Sequence, residues 1–161
     1  MLRERTDLIV YLATLIASIG AVVKFIPLFL LGIIMLGDKY KSAFNPSSKD
    51  SIYRPEVQRT TAYFLLALAL AEGFTGFGAG PQTSSIITAM TFGLLTRGTS
   101  LTLHLILIAP LDFFFILHVT SGLGTMLVRK GVKSPIIYNY VIPIIMLVLF
   151  SFAFYLDTLF F

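Results

Sequence analysis

The chain contains two histidines, His104 and His118, and both lie in a long apolar stretch. They are fourteen residues apart, or two heptads, with Leu111 midway between them. On a helix this spacing keeps both imidazoles on one face, about 21 Å apart along the axis. Ionisable side chains inside a bilayer are costly, and they usually bond to a neighbouring helix, relay protons or bind a cofactor. The histidine pair is therefore the first candidate for chemistry.

The composition places this pair in a membrane. The 161 residues are 57% hydrophobic and 12% charged, with a mean hydropathy of +0.89, whereas about a quarter of the residues in a soluble domain are charged. The net charge of +4 comes from basic residues between apolar runs, which are typical topology signals and do not indicate a nucleic-acid partner. Cysteine is absent, which excludes disulfides, thiolate metal sites, iron-sulfur clusters and covalently attached haem.

Four apolar segments predict an all-α, four-helix membrane bundle forming one domain over residues 1–161, since each crossing takes about 20 residues. The expected spans are 8–37, 60–77, 98–128 and 134–156. The shorter apolar segment 84–96 is expected to lie along the membrane interface. We expect the first span to be a single helix that is tilted, or kinked at Pro27. Such a bundle leaves little chain for a soluble catalytic domain.

The lysines and arginines predict the orientation. The first and third connections carry eight of them, whereas the N-terminus, the second connection and the C-terminus carry Arg3, Arg5 and Arg97. By the positive-inside rule, both termini face outward from a membrane that we expect to be the prokaryotic cytoplasmic membrane. The third span then runs from outside to inside, which places His104 in the outer half of the bilayer and His118 in the inner half.

Several interpretations of the histidine pair remain open. Each imidazole could donate to a backbone carbonyl or to a nearby serine or threonine. The pair could instead provide axial ligands for two b-type haems, because neutral imidazole binds haem iron and noncovalent attachment needs no cysteine. A small transporter that relays protons through the histidines, without haem, is a further alternative.

The stretch 62–131 resembles the first two helices of cytochrome b from respiratory quinol-oxidising bc complexes. The residues that carry the resemblance are FTGF at 74–77, LH at 103–104, FFFILHVTSG at 113–122 and a basic close at Arg129. The resemblance implies that His104 binds an outer haem and His118 an inner haem. It also implies that small residues on the preceding helix, here Ala62 and Gly76, pack against the haem faces.

The chain departs from this family in two respects. The family has an arginine one turn after the second ligand, where this chain has Ser121. The family also takes the opposing ligands from a second pair of helices, whereas this chain has no further histidine. The missing ligands could be methionines, although none is spaced like the histidines, or a second copy of the chain. The methionines that could serve are Met35, Met90, Met126 and Met146.

We expect the second copy. In a parallel homodimer each histidine faces its own counterpart, and up to two haems b lie between the third helices. Leu111, Phe115 and Gly122 lie on the histidine face and are expected to line the cofactor or flank the contact.

Three further charges fall inside the expected spans, namely Lys24, Glu72 and Asp112. We expect Lys24 to form an ion pair with Asp112 or to contact a propionate of the inner haem. Arg129 is a second candidate for a propionate. Glu72 is expected to be a hydrogen-bonded carboxylate near the helix end, with proton uptake from a quinol as the alternative.

The sequence therefore predicts an electron carrier rather than an enzyme with its own substrate turnover. Its expected partners are a second copy of itself, a membrane quinone, an unidentified redox protein and the surrounding lipid. The main alternative is the membrane-anchor subunit of a larger quinone-linked dehydrogenase.

Overall fold

The computed structural model describes residues 6–160 and confirms that the chain is all-helical, with no β-strand in that range. Arg3 and Arg5, which entered the charge count, lie outside the described residues. The helices are α1 (Thr6–Val22), α2 (Ile26–Asp38), α3 (Tyr40–Ala43), α4 (Pro55–Ala79), α5 (Ser84–Met90), α6 (Arg97–Arg129) and α7 (Ile142–Phe160), the last preceded by a π-helical turn (Ile137–Val141).

Three helical segments are long and apolar enough to cross a membrane: Pro55–Ala79, Arg97–Arg129 and Ile137–Leu159. The first begins with proline at a position where a missing N–H costs nothing. The second, α6, has 33 residues and is about 50 Å long. The third opens with a π-helical turn because Pro143 has no N–H to donate to the carbonyl of Asn139.

The expectation of a single kinked helix over 8–37 is wrong. The structure has a helical hairpin there, formed by α1 and α2. A Cβ on Gly20 would lie 2.5 Å from the Phe29 nitrogen, and one on Gly32 would lie 2.6 Å from the Ala13 carbonyl oxygen. These pairs show that α1 and α2 run antiparallel with their backbones nearly touching. The chain reverses through Lys24, whose φ is +50°, and not at Pro27, which sits in the first turn of α2.

Because of this hairpin, the two ends of the described chain do not lie on one side, as was expected for the termini. The hairpin brings Thr6 to the same end of the bundle as Asp38. We call this the basic end, because the loops 39–54 and 130–136 lie there. Helix α7 starts at the basic end and runs antiparallel to α6, as the Phe113–Phe150 ring contact at 4.7 Å shows. The chain therefore leaves the bundle at the opposite end from Thr6.

The hydrophobic core lies on one side of α6. Phe113 and Leu117 are fully buried there, and the Phe113 ring contacts Phe29 of α2 at 6.2 Å and Phe150 of α7. At the basic end the Tyr53 hydroxyl donates to the Tyr138 carbonyl at 2.8 Å. Burial raises the pKa of the Tyr53 phenol above its usual value, so it remains a donor.

Helix α4 is much less covered than the other long helices. In the most apolar 18-residue stretch of α4, 11% of the residues are buried inside the chain. The corresponding share is 28% for α6 and for the α7 segment. Its contacts are mainly with α6, and Phe64 also packs on Tyr11 of α1 at a ring distance of 5.9 Å. One side of the α4–α6 pair is therefore covered by the rest of the chain, and the other is bare.

Candidate functional site

Helices α4 and α6 pair antiparallel, and both histidines of α6 face α4. Thr61 lies opposite His118, and Gly76 lies opposite His104. The fourteen-residue spacing thus presents both imidazoles to one neighbouring helix. Gly76 lies against His104, whereas Ala62, expected to pack on a haem face, is exposed, and its neighbour Thr61 contacts His118.

The hydrogen bonds at His118 determine which ring nitrogen carries the proton. The Thr61 hydroxyl donates its single proton to the Val57 carbonyl at 2.8 Å. The same hydroxyl oxygen lies 2.8 Å from Nδ1 of His118, and while its proton is in the bond to Val57, Nδ1 of His118 is the donor. In the neutral ring this leaves the lone pair on Nε2.

His104 has the same tautomer for a different reason. Its Nδ1 lies 3.1 Å from the Glu72 carbonyl oxygen and 3.1 Å from Glu72 Oε1. A carbonyl oxygen only accepts, so Nδ1 carries the proton. The ring comes this close to α4 because Gly76 has no side chain, and a Cβ there would lie 3.1 Å from Cε1 of His104.

Both imidazoles are therefore held through Nδ1, with Nε2 unprotonated in the neutral ring. Within the described residues neither Nε2 atom has a hydrogen-bond partner, and the His104 side chain is 32% exposed. An Nδ1–H bond to a carboxylate, carbonyl or hydroxyl is the arrangement that orients a histidine for ligation through Nε2. The pair is thus prepared to bind an electrophilic centre.

The histidines lie at the border of the bare side of the α4–α6 pair, which we call the open face. On α4 the open face carries Ala62, Ala69 and Gly73. These residues lie on the side of α4 opposite Phe64, which contacts α1, at about 140–180° around the helix axis. All three are exposed, and a Cβ on Gly73 would meet nothing within 4 Å. On α6 the Phe115 side chain is 56% exposed. Small residues on an open helix face leave room for a flat ligand or a second helix.

Leu111 and Gly122, expected on the same face, are partly exposed. Gly122 lies against Gln58, whose Nε2 donates to the His118 carbonyl at 3.2 Å and to the Ser121 hydroxyl. Ser121, which stands where the family has arginine, is thus bonded to α4. A hollow of about 310 Å³ beside these residues extends to Arg129 at the exposed end of α6.

Lys24 does not take the expected place. Within residues 6–160 no ion pair or hydrogen bond joins it to Asp112 or to a histidine, and it lies exposed in the α1–α2 turn. The expected pairing assumed a single first span that carried Lys24 to mid-depth. The hairpin instead puts this lysine at the reversal of the chain, so the Lys24–Asp112 pair is a wrong prediction.

The residues present fit haem b better than a metal held by protein ligands alone. In the described part of the chain no three histidine or carboxylate side chains cluster as such a metal would require. Haem brings four nitrogens of its own and needs from the protein only axial ligands and apolar walls. His104 and His118 would each supply one axial nitrogen, and the exposed Ala62, Ala69 and Gly73 would leave room beside them.

Two residues of the site, Gln58 and Thr61, were missed from the sequence, and Glu72, expected as a hydrogen-bonded carboxylate, has His104 as a partner that was not foreseen. Pairing α4 antiparallel to α6 with Gly76 opposite His104 would have placed Thr61 near His118. Comparison of the chain with known protein families, with curated proteins and with solved structures found no match. The function of the chain is therefore inferred from its own residues.

Proposed function

We propose that this chain is a membrane-integral b-type cytochrome that carries electrons, with His104 and His118 as axial ligands. The observation that carries the proposal is that both histidines place Nδ1 against an oxygen of α4 and that, in the described residues, neither Nε2 has a hydrogen-bond partner. With Nδ1 protonated, each Nε2 keeps its lone pair for a ligand. Two intramembrane histidines that served only as hydrogen-bond donors would not need a shared face, a shared tautomer and exposed small residues next to them.

We further propose that the working unit is a parallel homodimer with up to two haems b. One chain supplies one imidazole at each level, and a bis-histidine site needs two. A twofold axis normal to the membrane would bring the open faces together and join two α4–α6 pairs into a four-helix bundle. The exposed Ala62, Ala69 and Gly73 support close helix approach at that contact.

Haem b, when bound, supplies a one-electron carrier whose iron changes only its oxidation state. The chain itself holds both imidazoles against α4 through Nδ1. Arg129, at the basic end of the hollow beside Gly122, offers a cation for a carboxylate such as a propionate. A membrane quinone and a separate redox protein are the proposed electron partners.

The orientation proposed for this fold puts the basic end inside the cell. The loops at that end carry most of the lysines and arginines, whereas Arg97 and Lys24 are at the other end. By the positive-inside rule, Thr6 then begins inside and α7 ends outside. Single cysteines in this cysteine-free chain test the arrangement. Asp7→Cys and Ser47→Cys should react with an impermeant thiol reagent from the same side, and Gln82→Cys from the other.

The haem proposal is tested by the haem content of purified protein expressed with an adequate haem supply. The wild type should show a Soret band, a sharp reduced α band and about one haem b per chain by pyridine hemochrome. The His104→Ala/His118→Ala double variant should bind none. A matched control, Leu103→Ala/Val119→Ala, changes exposed neighbours of the two histidines and should retain haem. A wild type without haem would refute the proposal.

A further inference from the structure

The two histidines share a tautomer but differ in the group that accepts their Nδ1 proton. His118 donates to the Thr61 hydroxyl, which is neutral and already committed to the Val57 carbonyl. His104 donates to the Glu72 carbonyl and also lies 3.1 Å from the Glu72 carboxyl oxygen Oε1. The two sites therefore have the same ligand but unequal surroundings.

The Glu72 carboxyl is set into the bundle and directed at this histidine. Its side chain is only 13% exposed, and its second oxygen, Oε2, is buried without a hydrogen-bond partner in the described residues. A buried carboxyl oxygen without a partner is costly. The contact of the Glu72 carboxyl that the structure shows is with Nδ1 of His104, so this carboxyl acts on that ring.

We propose that Glu72 is a positioning residue for His104 that strengthens Nε2 as a donor and makes the iron bound there harder to reduce than the iron at His118. This inference rests on the proposed function. When the Glu72 carboxyl is ionised, its hydrogen bond to Nδ1 is about twice as strong as one to a neutral acceptor and draws the proton away from Nδ1. The ring becomes more electron-rich, and an electron-rich axial ligand favours the oxidised iron.

The chain offers variants that separate charge from geometry. Glu72→Gln keeps an oxygen acceptor of the same length and leaves the backbone carbonyl bond to His104 in place. It therefore removes the charge without freeing the ring. Thr61→Val is the reciprocal control, because it removes the acceptor at His118 and leaves Glu72 unchanged.

The first measurement needs no haem. The protein labelled with ¹⁵N at histidine and placed in lipid bilayers should give four ring-nitrogen signals, because the chain has two histidines. Both rings should be protonated at Nδ1. Glu72→Gln should shift the Nδ1 signal of one ring only, and Thr61→Val that of the other. If His104 is protonated at Nε2, or if Glu72→Gln leaves both rings unchanged, the inference is overturned. The wild-type spectrum alone decides the first point if a variant fails to fold.

The second measurement is a potentiometric titration of the haem-loaded protein at fixed pH. Second-shell partners of a ligating histidine typically change metal affinity or activity by 10- to 100-fold. We expect Glu72→Gln to favour reduction of one haem about tenfold, which is about 59 mV for a one-electron couple, and to leave the other haem unchanged. An equal shift of both haems, or none, overturns the inference. The proposed function fails through a different result. In that case the wild type binds no haem, although the ¹⁵N shifts described above are observed.

Discussion

Replacing Thr61 by valine tests the contact that holds His118 in its tautomer. Valine has nearly the shape of threonine, so the change removes the hydroxyl from a fully buried position with little change in packing. It deletes the bonds of the hydroxyl to the Val57 and Gln58 carbonyls of its own helix and its bond with Nδ1 of His118. Thr75→Val is the matched control on the same helix. That side chain is also buried, and its hydroxyl bonds only to backbone carbonyls of its own helix, including Ala71 at 2.9 Å.

The difference between the two variants isolates the interhelical bond to His118. Hydrogen bonds between membrane helices are worth about 0.6 kcal/mol on average and up to about 1.7 kcal/mol. A buried N–H left without an acceptor costs about 1–3 kcal/mol. We therefore expect Thr61→Val to lower the free energy of unfolding by about 1 kcal/mol more than Thr75→Val, which is roughly a fivefold change in the unfolding equilibrium.

The assay is unfolding of the haem-free protein by SDS in mixed micelles, followed by circular dichroism. Thr61→Ser should recover most of the lost stability, since it restores the hydroxyl. In the haem-loaded protein, Thr61→Val should also weaken retention of haem about 10- to 100-fold, because His118 loses its orienting partner. Equal destabilisation by Thr61→Val and Thr75→Val would refute the assignment of the Nδ1 bond.

Two further predictions concern the ligands and the hairpin. His118→Ala should remove more haem than His104→Ala, because the His104 side chain is 32% exposed and Pro110 leaves the nearby Ile106 carbonyl without its helical bond; haem per chain and the low-spin EPR signal of each variant measure this. Gly32→Ala should destabilise the protein by about 1–3 kcal/mol, because its Cβ would lie 2.6 Å from a backbone oxygen of α1. Gly37→Ala on the same helix, with nothing within 4 Å, should be neutral or stabilising, and SDS unfolding compares the two.

The helical content and the shared face of the histidines were predictable because both depend on local properties. Apolar runs of the right length favour membrane helices whatever they pack against. A fourteen-residue spacing keeps His104 and His118 on one side of any regular helix. Gly76, which the resemblance implied as a small residue at a haem face, lies beside His104 in the structure.

The remaining features depend on contacts between distant segments. The hairpin forms because Gly20 and Gly32 let two backbones meet, and an uninterrupted apolar run gives little sign of such a reversal. The Thr61 contact with His118 was not foreseen, because one residue along a helix is a rotation of about 100° and the rotation of α4 is set by its packing on α6. Glu72 could be assigned to His104 only once the pairing of α4 with α6 was known.

Mass measurement of the intact haem-loaded protein in detergent tests the central claim most directly, because it reports the cofactor and the second copy together. The account predicts a species of twice 17.8 kDa plus two haems. It also predicts that the His104→Ala/His118→Ala double variant loses both the haem and this haem-bearing dimer. A monomer that retains haem, or a dimer of the wild type that carries none, would contradict the account.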